Sequence, residues 1–349
     1  MRLIFQSRGR RSARTTLVTS VAFALSVPYS CVASAFDGAQ PTAVEINGRL
    51  RVCATHLCNQ RGTPIQLRGM STHGTQWYAH CLSNGVFDAL AYDWNATVLR
   101  VSTYARQGGY ESNPEKFTQL ASKLVGMANA RGMYVIVDWH TINPGDPNED
   151  VGKARKFFST ISKKFKNKPN VLYEIANEPH HVKWSTIKKY AESVIPVIRR
   201  YSPDSVVLVG TPDWSTLGES AVSAHGPGNE REVVDDQLHL SNIMYTFHFY
   251  AARHRERYLA TLDRASSRIP VFVSEWGTQS WQGYGNDFAM SQKYVDLMAG
   301  KKISWVNWSI ADGDHDGDIF KQGVCRGRTF SGTAVLKPAG VWVRERIRG

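Results

Sequence analysis

The chain has 349 residues, 42% hydrophobic and 21% charged, which is long enough for one large barrel or two ordinary domains. Its formal charge is +12, but Arg2, Arg8, Arg10, Arg11 and Arg14 contribute five of those charges ahead of residue 36, leaving +7. That modest excess does not imply a nucleic-acid partner. The one basic run with an interleaved aromatic, Lys163-Lys164-Phe165-Lys166-Asn167-Lys168, reads as a solvated helix end.

Residues 1–35 combine an Arg-rich start, an apolar run from Leu17 to Val27 and the small residues Ala33, Ser34 and Ala35, the pattern of a cleaved signal peptide. The apolar run is about half of the roughly 20 residues that a bilayer span requires. The expected product is therefore a secreted, extracellular protein with no membrane segment after cleavage, its export route (Sec or twin-arginine) left open. After cleavage Cys53, Cys58, Cys81 and Cys325 remain, an even number that suggests two disulfides with three pairings open. Their spacing builds no tetrahedral zinc site, so neither metal nor cofactor is expected.

Turn signals at Asn47-Gly48 and Arg61-Gly62 bracket a hairpin between Gly48 and Thr63, placed to close the bottom of a barrel. Eight short, β-branched apolar runs follow: Ile65–Met70, Thr97–Ser102, Tyr134–Trp139, Val171–Ala176, Val206–Gly210, Ile243–Phe249, Val271–Ser274 and Ile303–Ile310. Stretches of helical period lie between them, among them Phe117–Ala130, Ala154–Phe165, Ile187–Arg199 and Phe288–Met298. Alternation of this kind specifies parallel strands with helical crossovers, and eight units match a (β/α)8 barrel. No linker or low-complexity tract interrupts it, so residues 36–349 read as a single, monomeric catalytic domain.

Functional groups of such a barrel gather at the C-terminal ends of the strands. There the sequence places Arg100, His140, Asn177, Glu178, His248, Tyr250, Glu275 and Trp308. Each taken alone is commonly an ordinary surface or core residue; their joint placement is the signal. Cleavage of an acetal needs an acid for the leaving oxygen and a carboxylate for the cationic carbon, and Glu178 and Glu275 supply that pair. Arg100 and the Tyr250 hydroxyl are expected to favour an ionised Glu275, whose charge in turn helps Glu178 hold its proton.

The stretches QLRGMSTHGTQWY (Gln66 to Tyr78), YVIVDWH ending at His140, VLYEIANEP ending at Pro179, YTFHFY ending at Tyr250, VFVSEWGT ending at Thr278 and WVNWS ending at Ser309 resemble, in order, glycoside hydrolase family 5 and especially its bacterial endoglucanases. The resemblance runs from about Cys53 to Ile347. It implies Glu178 as acid/base and Glu275 as nucleophile of a retaining reaction. It also implies that Asn177 bonds the sugar 2-hydroxyl, His248 supports the pair, His140 holds the sugar and Trp308 stacks beneath it, with a non-proline cis peptide after Trp308. By the same resemblance His73, Trp77, Tyr104 and Trp214 contact neighbouring glucose units.

One departure stands out. Relatives in Bacillus carry a sugar-binding lysine, with a nearby glutamate, where this chain has Gly313 and His315. The loop Asp312 to Asp318, DGDHDGD, reads instead as a solvated acidic loop, with calcium binding and altered sugar binding as the alternatives. The expected function is endo-β-1,4-glucan hydrolysis, with a β-glucan polysaccharide as partner. Mannanase and xyloglucanase on the same site, or a non-catalytic glycan-binding barrel, are the alternatives.

Overall fold

The computed structural model describes residues 40–220 and 229–349; the expected leader at 1–35 lies outside them. Two strands, β1 (Arg51–Cys53) and β2 (His56–Cys58), form an antiparallel hairpin. Eight more, β3 (Arg68–Thr72), β4 (Val98–Tyr104), β5 (Tyr134–His140), β6 (Val171–Glu174), β7 (Val207–Val209), β8 (Ile243–Tyr250), β9 (Val271–Gly277) and β10 (Trp305–Ile310), close into an all-parallel barrel in the order β10-β3-β4-β5-β6-β7-β8-β9. Each of the eight expected runs overlaps one barrel strand, with β3, β4, β5, β8 and β9 extending past the run's C-terminal end.

The helices form where a capping residue opens an amphipathic stretch. Asn113 caps Pro114–Asn129 by accepting from the Lys116 N–H, and Pro114 sits in the first turn, where its missing N–H costs nothing. Asp287 caps Phe288–Gly300 in the same way through Met290. Their apolar stripes, with those of Val151–Lys164 and Trp184–Arg199, pack on the outward side chains of the strands, such as Leu99, Val101, Val135, Val137 and Trp139.

The inward side chains form layers. At the bottom, Val98, Tyr134, Ile136, Leu172, Leu208, Met244, Phe272 and Val306 make an apolar plug that continues into Leu50 and Leu57 of the hairpin. The hairpin is tied there by the Tyr134 hydroxyl, which donates to the Gly48 carbonyl at 2.6 Å, and by the Val52 N–H, which donates to Asn242 Oδ1 at 2.9 Å. It closes the bottom of the barrel, as its sequence suggested. The disulfides join Cys53 to Cys58 and Cys81 to Cys325, resolving the three pairings. Among the described residues no helix is long and apolar enough to cross a membrane.

Candidate active site

Above the apolar plug the interior turns polar. Alternation along β4 aims Arg100, Ser102 and Tyr104 inward, and along β5 it aims Asp138 and His140 inward. Arg100 does not end its strand: it lies in the middle of β4, fully buried. Its Nε and Nη2 grip Glu174 at 2.8 and 3.0 Å, Nη2 reaches Asn177 Oδ1 at 2.6 Å and Asp138 Oδ2 at 3.1 Å, and Nη1 reaches Glu275 Oε2 at 3.0 Å. A planar guanidinium can hold this many acceptors in fixed directions; a lysine cannot. Burial opposes the Arg100 charge, but Asp138, Glu174 and Glu275 outweigh it and hold the side chain firmly cationic.

Glu275 enters the site through a bulge. Strict alternation from Phe272 and Ser274 would turn residue 275 outward. Between the pairs Thr246↔Phe272 and His248↔Glu275 the register shifts, so β9 spends three residues where β8 spends two. Both Ser274 and Glu275 therefore aim inward, which is how bulges re-aim side chains beside active sites. Glu275 Oε1 accepts from the Tyr250 hydroxyl at 2.6 Å, while Oε2 accepts from Arg100. Burial, then the charges of Glu275 and Glu178, push the Tyr250 phenol far above its ordinary range, so it stays a donor.

Glu178 stands past the end of β6, which stops at Glu174 rather than continuing to Ala176. The segment nevertheless follows β5, because the Asn177 N–H donates to the Trp139 carbonyl and the Glu178 N–H to the Thr141 carbonyl, both at 3.2 Å. Asn177 is buried and its Nδ2 donates to the Thr141 carbonyl at 3.3 Å. His248 Nδ1 lies 3.0 Å from Glu178 Oε1, and its Nε2 lies 2.9 Å from Ser274 Oγ, which donates to Glu174 at 2.8 Å. Burial works against a charged His248, but Glu174, Glu178 and Glu275 prevail and push it up to about 9. One oxygen of Glu178, one of Glu275 and a ring nitrogen of His248 all lie within 4.8 Å of one another.

Around this group lies a cleft of about 620 Å³. Aromatic rings pave one side: Tyr104 stacks on His140 at 4.1 Å, His140 on Trp308 at 5.3 Å, and His73 meets Trp308 at 4.9 Å and Trp77 at 5.8 Å. The Trp308–Ser309 peptide is cis, as the resemblance implied. Burial above all pushes both His73 and His140 down to about 3, with the Arg100 charge adding to it at His140, so both imidazoles are neutral and suited to bonding hydroxyls. Trp214 stands on the loop after β7, diametrically opposite β3, stacked on His180 at 4.6 Å. Its turn holds Asp213, Trp214 and Ser215 at φ of 56°, 58° and 56°, a left-handed run that side chains adopt at a cost. The Ser215 hydroxyl secures it by donating to the Asn177 carbonyl at 2.6 Å, and the Trp214 N–H donates to the Pro179 carbonyl at 2.9 Å.

Of the site residues expected from the sequence, His73, Tyr104, His140, Glu178, Trp214, His248, Tyr250, Glu275 and Trp308 line the cleft, Arg100 and Asn177 lie buried against the pair, and Trp77 packs on His73 and Tyr104. Sequence reasoning missed Asp138, Glu174 and Ser274, which orient the pair from below. Their signal was a polar residue at an inward position of an otherwise apolar strand. It also missed Gln279 and Trp281 in the cleft wall, where Asp318, the last residue of the acidic loop, joins them. The acidic loop is not simply solvated: Asp312 and Asp318 are buried, and Asp312 accepts from the Cys325 N–H at 3.0 Å. A Cβ at Gly313 would lie 2.4 Å from the Tyr78 hydroxyl and 2.7 Å from Asp318 Oδ2, so a side chain there would have to displace both. The Lys337 ammonium instead braces the loop, donating to the carbonyls of Gly313 and His315 at 2.7 and 2.8 Å.

A parallel eight-stranded barrel with paired carboxyls in an aromatic cleft has the architecture of a glycoside hydrolase domain. Residues 58–314 match the model of the cellulase family, glycosyl hydrolase family 5, and the chain belongs to that family. Endoglucanase E-5 of Thermobifida fusca is 51% identical over 316 residues, covering 89% of this chain and 66% of that protein. Endoglucanase CelA of Streptomyces lividans is 47% identical over 306 residues, covering 88% of this chain and 65% of that protein. The chain therefore spans slightly less than two thirds of either relative's length. The crystal structure of the catalytic domain of Thermobifida fusca endoglucanase Cel5A (E5), in a variant complexed with cellotetraose, matches with a TM-score of 0.85 at 50% identity, covering 88% of this chain and 100% of that one.

Proposed function

We propose that this chain is a retaining endo-β-1,4-glucanase that cuts internal bonds of cellulose or a related β-glucan. Glu275 attacks the anomeric carbon while Glu178 protonates the leaving oxygen. Water, deprotonated by Glu178, then displaces Glu275 from the glycosyl ester. The observation that carries this reading is the closeness of the carboxyls. Oxygens within 4.8 Å suit direct attack, whereas an inverting site keeps its carboxyls about 6.5–9.5 Å apart to admit a water between them.

In this reading Arg100 and Tyr250 orient Glu275 and offset its charge, His248 orients Glu178, and Asn177 faces the 2-hydroxyl. His140, Trp308, His73, Trp77 and Tyr104 hold glucose units on one side of the cut, and Trp214 holds one on the other. Cleavage inside a chain is supported by the aromatics on both sides of the pair. The chemistry asks for no metal or cofactor. Residues 1–35 would be the leader of a secreted protein, residues 36–349 a monomeric catalytic domain; the two disulfides support an oxidising destination.

The test is reducing-end release from carboxymethylcellulose, lichenan, xyloglucan and mannan side by side, with the anomer of the first product followed by NMR. A β-product from the glucans is expected. No release by folded protein overturns the enzyme reading, an initial α-product overturns retention, and faster release from mannan overturns the glucan.

A further inference from the structure

The rim of the cleft carries an indole that the reaction described above does not use. Trp281, on the segment after β9, lines the cleft yet is 64% exposed. By contrast Trp94, Trp139, Trp184, Trp276 and Trp305 are fully buried. A single exposed apolar side chain is ordinary on a protein surface; what distinguishes Trp281 is that its exposed indole faces the cleft that holds the catalytic pair.

Looseness of the backbone does not account for it, because the turn beneath Trp281 is clamped. The Gly283 N–H donates to the Ser280 carbonyl at 2.9 Å, closing a tight turn around Trp281 and Gln282. The Ser280 N–H and hydroxyl both donate to the Tyr284 carbonyl, at 3.1 and 2.7 Å. Two further bonds fasten this turn to the loop after β10: the Asp316 N–H to the Gly283 carbonyl, and the Gly285 N–H to Asp316 Oδ2, both at 2.7 Å. Gly283 has φ +96°, and a Cβ there would lie 2.7 Å from the His315 ring, so glycine is what allows the two loops to meet.

The same stretch of wall presents polar groups. Gln279, His315 and Asp318 line the cleft beside Trp281, and Asp318 Oδ2 is buried with no hydrogen-bond partner among the described residues. A rigid indole face next to an amide, an imidazole and a carboxyl complements a pyranose, whose C–H faces are apolar and whose edge carries hydroxyls. The loop after β10 stands diametrically opposite β6, the strand that leads to Glu178, so this surface extends the cleft away from Glu178.

We propose that Trp281 is a stacking platform for a further glucosyl unit of the polysaccharide, outside those bound at the catalytic pair, with Gln279 and His315 meeting its hydroxyls. This rests on the β-glucan reading above. It makes the enzyme's efficiency depend on chain length through a residue that does not contact the catalytic pair's hydrogen-bond network.

Wild type, Trp281→Ala and Trp281→Phe are compared on cello-oligosaccharides of three to six glucose units. Trp281→Ala should lower the ratio of kcat/KM on the six-unit chain to that on the three-unit chain by roughly 3- to 10-fold, mainly through KM. Trp281→Phe should restore most of it. Calorimetry with cellohexaose on the Glu275→Gln background should show a loss of affinity of similar size. An equal loss at every length, or none at any length, overturns the platform while leaving the glucanase reading intact. Failure of wild type to cleave any of them removes both.

Discussion

His248 Nδ1 and Glu178 Oε1 lie 3.0 Å apart, and the other face of that imidazole is spoken for by Ser274. Because the Ser274 hydroxyl proton goes to Glu174, its oxygen accepts from His248 Nε2–H, which leaves Nδ1 directed at Glu178. The folded value of His248, about 9, lies above its ordinary 6.5. Its contribution to stability is therefore complete below about pH 6.5 and fades as pH rises through 9. Urea denaturation should find His248→Asn less stable than wild type at pH 6, with the gap narrowing by on the order of 3 kcal/mol towards pH 9.5. A gap that widens with pH would contradict the assignment.

Replacing the carboxylate between Arg100 and Tyr250 should leave the fold and remove the chemistry. Glu275→Gln keeps the shape and one acceptor, so thermal unfolding should change little. Reducing-end release from carboxymethylcellulose should fall by at least about a thousandfold. Substantial residual turnover would refute Glu275 as nucleophile.

Glu178 can be tested by chemical rescue. Glu178→Ala should lose most activity on substrates with poor leaving groups and much less on activated aryl glycosides. Added azide should then yield a β-glycosyl azide. An α-azide would point to inversion.

Arg100→Lys separates charge from geometry. An ammonium preserves the charge but cannot face Glu174, Asn177 and Glu275 together. We expect kcat to fall by about 100-fold or more while the protein still folds, measured alongside circular dichroism. Near-normal kcat would show that charge alone suffices.

Asp318 has the opposite linkage to a paired carboxylate. Burial raises it to about 6, partly offset by Lys337 and His315. With the folded value above the ordinary 3.8, its ionisation weakens the fold as pH rises through 6. Asp318→Asn should therefore gain on wild type by about 2–3 kcal/mol between pH 4 and pH 8, read from denaturant midpoints.

The helical and strand periods, the hairpin and the positions of the two glutamates were legible because they follow from local pattern: apolar runs mark strands, and strand ends in a parallel barrel meet at one mouth. The residues beneath the site were harder to see. Asp138 and Glu174 interrupt apolar strands, and an isolated polar residue in such a run says nothing of its partner until Arg100 is placed between them. The wall residues Gln279, Trp281 and Asp318 sit on loops, whose paths no periodicity describes.

The amino-acid sequence by itself determined the barrel and the candidate pair Glu178 and Glu275, since each depends on residue type and spacing along the chain, while the aromatic floor around Trp308 was legible only through the family resemblance. Tertiary structure decided what those spacings cannot encode. The bulge in β9 turns Glu275 inward against strict alternation, and the closure of eight strands brings its oxygen within 4.8 Å of one from Glu178. It also decided which cysteines pair and that Tyr78 and Asp318 fill the space over Gly313. Distances across a barrel are set by packing among residues far apart in the chain, and a linear pattern holds no record of them.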